Sequence, residues 1–133
     1  MDTILQFIAK LKKQKNTTTI SNPYRDAALA DNLLSYLELM LKTDGKRILL
    51  IGEAPGYKGC KITGIPFTSG KVFENVKHPV LSTLRKNLHL SKIESENNAT
   101  IVWNYLATKT CTPLFWNSFI LEFLSISPSP QKQ

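Results

Sequence analysis

Cysteine is nearly absent: Cys60 and Cys111 are the two in 133 residues. Two thiols without a C-x-x-C pair cannot build a disulfide framework or a four-thiolate metal site. Long apolar runs are also missing. A membrane-spanning helix needs about eighteen or more consecutive apolar residues, and no such stretch occurs. Acids are few, with 10 Asp+Glu against 17 Lys+Arg, a formal charge of +7. Histidine is limited to His78 and His89. The glycine patterns G-x-G-x-x-G and G-x-x-x-x-G-K-[ST] do not occur, which weakens a dinucleotide or P-loop NTPase reading.

What is present describes one globular domain. A hydrophobic content of 42% with 20% charged residues suits a folded chain rather than a disordered one. The length leaves room for a single domain. The opening MDTILQFIAKLKK places its acid before its lysines. Signal peptides carry the opposite order, so the expectation is a cytoplasmic protein with reduced, ordinary buried thiols. The basic excess attracts polyanions, of which nucleic acid is the commonest inside cells. It equally serves as a solubilising surface, since most of it is lysine.

Periodicity divides the chain. Ile4, Phe7, Ile8 and Leu11 form a helical stripe over residues 3–13, and Leu29, Leu33, Leu37, Met40 and Leu41 form another over 25–43. Asn22-Pro23 marks a turn between them. Ile48-Leu49-Leu50-Ile51 is short, apolar and bounded by turn residues, which predicts a strand buried on both faces. Helices are expected over 71–77 and 80–90, separated by His78-Pro79. Ala99 to Trp103 predicts a second buried strand ending at Asn104. Leu114, Phe115, Phe119, Ile120, Phe123 and Leu124 fit an amphipathic helix before a frayed SISPSPQKQ tail. The expected organisation is one domain: a helical part at 1–45, a βαβ core at 46–104 and a divergent tail at 105–133.

The chemistry sits in the stretch GEAPGYKGCKITGIPFTSG, residues 52–70, which holds five of the six glycines. Ligands of parallel α/β sheets bind beyond the C-terminal strand ends. Glu53 follows the first predicted strand and Asn104 ends the second, so a carboxylate and an amide converge on one crevice. Each residue also has a plainer reading. Glu53 suits a solvated loop, Phe67 a core anchor, and Asn104 a turn or helix cap. His78 and His89 sit at helix boundaries and read as structural.

GEAPG directly after ILLI, then G-I-P-F, then a strand ending in Trp-Asn, resembles the uracil-DNA glycosylase superfamily, most closely its bacterial members. The matching region runs from about Arg47 to Asn104, with Asn22-Pro23-Tyr24 suiting an N-terminal extension. The resemblance implies an α/β/α sandwich with a parallel sheet. It also implies base flipping and hydrolysis of the deoxyuridine N-glycosidic bond in DNA, with no cofactor or metal. It assigns Glu53 to the oxocarbenium-like charge and the attacking water. It assigns Phe67 to stacking on the base and Asn104 to the uracil edge. Pro55, Gly56, Lys58, Lys61 and Ser69 fall to DNA contact. The alternatives are an impaired relative that binds DNA or a nucleotide without excision, and a generic α/β domain whose loop binds a phosphorylated metabolite.

The chain departs from that family in three respects. It lacks the four cysteines of iron–sulfur members. Ala54 stands where several branches carry an aspartate. No His-Pro-Ser-like segment follows Asn104, and two further strands of the family's sheet are not visible. The expectation is therefore a member truncated at its C-terminus.

Overall fold

The computed structural model describes residues 2–42, 48–53, 58–118 and 122–123. The chain begins with α1 (Asp2–Lys13), β1 (Ile20–Ser21), a 3-10 turn (Pro23–Arg25) and α2 (Ala27–Leu41). Strand β2 (Leu49–Gly52) leads into four helices: α3 (Cys60–Thr63), α4 (Gly70–Asn75), α5 (Pro79–Arg85) and α6 (Asn97–Leu106). Strands β3 (Leu114–Asn117) and β4 (Glu122–Phe123) follow.

The two N-terminal helices form where their stripes predict. Ile8 and Leu11 are buried on α1, and lysines fill its last turn, where they complement the helix dipole. Asp26 caps α2 by accepting from the Ala28 N–H at 2.9 Å. Asn22 joins the two. Its Nδ2 donates to the carbonyls of Leu11 and Gln14 at 2.7 and 2.8 Å, satisfying the end of α1. Its Oδ1 accepts from Tyr24 N–H at 3.0 Å, which starts the 3-10 turn.

The second strand is not where the apolar run suggested. Residues 97–106 are helical, and Asn104 is exposed on that helix. Glu96 accepts from Ala99 N–H at 2.8 Å and caps it. Ala99, Trp103 and Leu106 are buried while Ile101 and Tyr105 are exposed, a spacing of four and three that belongs to a helix. The strand that pairs with β2 is β3, parallel, with Leu49 opposite Leu114 and Gly52 opposite Asn117. The parallel unit therefore ends at Asn117, inside the segment expected as tail. The predicted helix over Leu114 to Leu124 is replaced by β3 and β4. Phe119, Ile120 and Leu124 lie outside the described residues.

Phe115 and Trp116 point to opposite faces of β3. Phe115 packs on Phe67 and Trp103 with ring centroids 5.1 and 5.5 Å apart, and Trp116 packs on Phe7 of α1 at 5.7 Å. Helices α6 and α1 thus flank the sheet from either side. The backbone N–H groups of Leu114 and Ser118 donate to the carbonyls of Ile48, just before β2, and of Gly52 at its end. Phe115 therefore turns its backbone groups to the outer edge. There the Tyr36 hydroxyl of α2 accepts from Phe115 N–H at 2.6 Å and faces its carbonyl at 3.4 Å. A buried side chain occupies the place of another strand. Tyr36→Phe is expected to cost about 1–3 kcal/mol, because it leaves a buried N–H without its acceptor. Urea unfolding of the two proteins measures this.

Strand β2 was expected to be buried on both faces. It is not: Ile48, Leu49, Leu50 and Ile51 are 48, 55, 39 and 55% exposed. Among the described residues β2 pairs with β3 alone, so one edge and much of both faces stay uncovered. Helix α5 also stops earlier than its stripe. His89 gives its N–H and carbonyl to the side chain of Asn32, at 2.9 and 2.8 Å, instead of to a helix. His78 caps α5 through Nδ1 at 3.1 Å from Val80 N and rests against Trp103. Cys60 is buried as expected, whereas Cys111 is exposed.

Candidate active site

Strand β2 delivers Gly52 and Glu53 to the C-terminal edge of the sheet, and β3 delivers Asn117 beside them. The return of the chain is held by the Thr63 to Thr68 turn. Gly64 adopts φ of +80° at the end of α3, and a Cβ there would meet the Leu29 carbonyl oxygen at 2.5 Å. Thr63 and Thr68 hydroxyls bond each other at 2.6 Å, and Thr68 donates to the Ile65 carbonyl at 2.7 Å. Asn32 fastens the turn to α2 by donating to the Thr63 carbonyl at 2.9 Å.

This turn aims Phe67. Its φ is +59°, a left-handed conformation that costs a non-glycine residue about 1–2 kcal/mol. Trp103 Nε1–H holds it there by donating to the Phe67 carbonyl at 2.8 Å. Such strain gathers at sites where a side chain must be presented in one direction. The Phe67 ring closes on Gly52 from one side and Phe115 from the other. It is both the core anchor and a wall of the site.

The result is a cavity of about 300 Å³ lined by Gly52, Glu53, Cys60, Phe67, Asn117 and the first turn of α6. That volume lies at the small end of the ~300–1,000 Å³ range of ligand sites. Glu53 is exposed at its rim, while Asn117 is buried. Cys60 forms part of its wall as a neutral thiol, because burial pushes its pKa up to about 12. Glu96 and Asn98 line the α6 side. The Glu96 carboxylate already caps α6 through Oε1.

Sequence-predicted residues divide clearly. Glu53 and Phe67 share this cavity. Asn104 does not: it lines a separate hollow with Lys71, Asn75 and Thr100, because α6 is a helix and not a strand. Ser69 is fully buried, with its hydroxyl capping α4 by accepting from Val72 N–H at 3.2 Å. A buried cap cannot touch DNA. Lys58 and Lys61 are exposed on either side of Cys60. Pro55 and Gly56 lie outside the described residues. Asn117, which the sequence reading does not single out, lines this cavity together with Glu53 and Phe67. Its signal was present, since Trp116-Asn117 repeats the Trp-Asn pair of 103–104.

No family model matches the chain, and no curated protein matches it in sequence. Among solved structures, the crystal structure of wild-type Pedobacter heparinus SMUG2 is similar, with a TM-score of 0.66 over 94% of this chain at 19% identity. This chain spans 56% of the length of that one. It has a uracil-DNA glycosylase-like α/β fold. Within it, Glu53 and Asn117 stand at the ends of neighbouring parallel strands, the position where such sheets bind ligands. Among the described residues, no helix is long and apolar enough to cross a membrane, and no three His, Cys, Asp or Glu side chains gather to hold a metal ion.

Proposed function

We propose that this chain excises uracil from DNA by hydrolysing its N-glycosidic bond. The supporting observation is the shared cavity that holds Glu53, Phe67 and Asn117 at the ends of β2 and β3. The base inside a duplex is out of reach, so the nucleotide leaves the stack and enters the cavity. Phe67 offers a ring face for stacking. Asn117 offers both an N–H donor and a carbonyl acceptor to the base edge. As the bond between C1′ and N1 breaks, positive charge grows on the deoxyribose. The Glu53 carboxylate at the rim stabilises it and orients the water that attacks C1′, taking its proton. The exposed Lys58 and Lys61 and the net charge of +7 favour the phosphate backbone.

Incubation of the purified protein with uracil-containing single- and double-stranded oligonucleotides tests this directly. Free uracil and an alkali-labile abasic strand are expected. Intact oligonucleotide at high enzyme excess overturns the reading.

Gly52 gives a sharper check on the geometry. A Cβ at this position would lie 2.8 Å from Asn117 Oδ1 and 2.8 Å from the Phe67 ring. Both groups are fixed by their own packing, so neither gives way freely. Gly52→Ala is expected to reduce uracil release by about 10²-fold through misplacement of the base-holding groups. Overpacking also costs about 1–3 kcal/mol of stability. Single-turnover rates and thermal midpoints of the two proteins separate these effects.

A further inference from the structure

Three buried polar side chains form a chain of hydrogen bonds with a fixed direction. Tyr24 Oη donates to the Gly64 carbonyl at 2.9 Å. A carbonyl only accepts and tyrosine carries one hydroxyl proton, so that proton is committed. Cys60 Sγ lies 3.7 Å from the same Oη. The thiol proton must therefore point toward the Tyr24 oxygen. This leaves the sulfur lone pairs facing Asn117, whose Nδ2 donates to Sγ at 3.9 Å. Tyr24, Cys60 and Asn117 are 2, 4 and 5% exposed. Burial raises the pKa of both Tyr24 and Cys60, which keeps both protons in place. The other end of the amide, Oδ1, lies on the Gly52 side.

We propose that Tyr24 and Cys60 are positioning residues that lock the Asn117 amide in one orientation and so select a uracil edge over a cytosine edge. Uracil presents an N–H beside a carbonyl, which suits the amide as it stands. Cytosine presents a bare ring nitrogen beside an amino group, which requires the amide turned over. A turned amide aims Oδ1 at the sulfur lone pairs. Swinging the thiol proton to meet it strips the buried Tyr24 oxygen of its donor. The proposal rests on the base-excision reading, and its test is read separately from excision.

The test follows the Asn117 side-chain amide by ¹⁵N–¹H NMR in the full chain, with the signals assigned by their loss in Asn117→Ala. Free uracil and free cytosine are the titrants. In the wild type, uracil is expected to shift these signals at lower concentration than cytosine. Tyr24→Phe removes the oxygen and frees the thiol, so the preference is expected to fall by about fivefold to tenfold. Cys60→Ala, which also removes the lone pairs, gives the same loss. Cys60→Ser keeps one donor and one acceptor and restores the preference, which a purely space-filling role does not explain. An amide that answers both bases equally in the wild type, or neither, overturns the proposal. So does a preference unchanged in Tyr24→Phe and Cys60→Ala. Failure to release uracil from DNA, with the base preference intact, counts against the excision reading alone.

Discussion

Replacing Glu53 with glutamine is expected to lower the single-turnover rate of uracil release by about 10²- to 10⁴-fold. The substitution preserves the shape of the side chain and removes its charge. A neutral amide neither stabilises an oxocarbenium-like sugar nor accepts a proton from the attacking water. Glu53 is exposed and stands just past the last residue of β2, so the fold does not depend on it. The thermal midpoint is expected to stay within the small range typical of surface changes. The carboxylate of Glu96 lines the same cavity, but its Oε1 is held by the start of α6. Rescue by that group is therefore not expected. An unchanged rate in Glu53→Gln removes Glu53 from the mechanism.

The second large effect separates two asparagines that look alike in sequence. Asn117→Ala is expected to reduce uracil release by about 10²-fold or more, since a donor and an acceptor to the base are lost together. Asn104→Ala is expected to leave the rate at the wild-type value. Each follows a tryptophan, at Trp116 and Trp103. Only Asn117 stands in register with Gly52 across the parallel pair. Asn104 is exposed on α6 and borders a different hollow. Equal losses in both variants, or a loss confined to Asn104→Ala, contradict the site described here. Asn117 is buried beside Cys60, so some loss of stability accompanies its removal, and rates are compared at a temperature where both variants are folded.

The residues themselves determined a good deal. The stripes over Ile4 to Leu11 and Leu29 to Met40 specify α1 and α2, because an apolar residue on each turn has only one face to bury. The run at 48–51 specifies β2, and the glycine-rich stretch after it holds Glu53 and Phe67. These features are local: propensity, spacing and turn chemistry act over a few neighbours.

Where the partner strand lies was decided by tertiary packing. Ala99 to Trp103 has the composition of a strand, yet the Glu96 cap and burial of Ala99, Trp103 and Leu106 on one side make it a helix. The apolar residues from Leu114 to Leu124 fit an amphipathic helix, yet pairing with β2 and the Tyr36 hydroxyl make Leu114–Asn117 a strand. Both segments are short and apolar, so their period does not discriminate, and contacts from residues far along the chain settle each one. The same holds for Tyr24 and Cys60, 36 positions apart, which meet beneath Asn117 only after the chain has folded. Sequence placed Glu53 and Phe67 on one glycine-rich loop; the long-range pairing of β2 with β3 decided which of two asparagines stands beside that carboxylate.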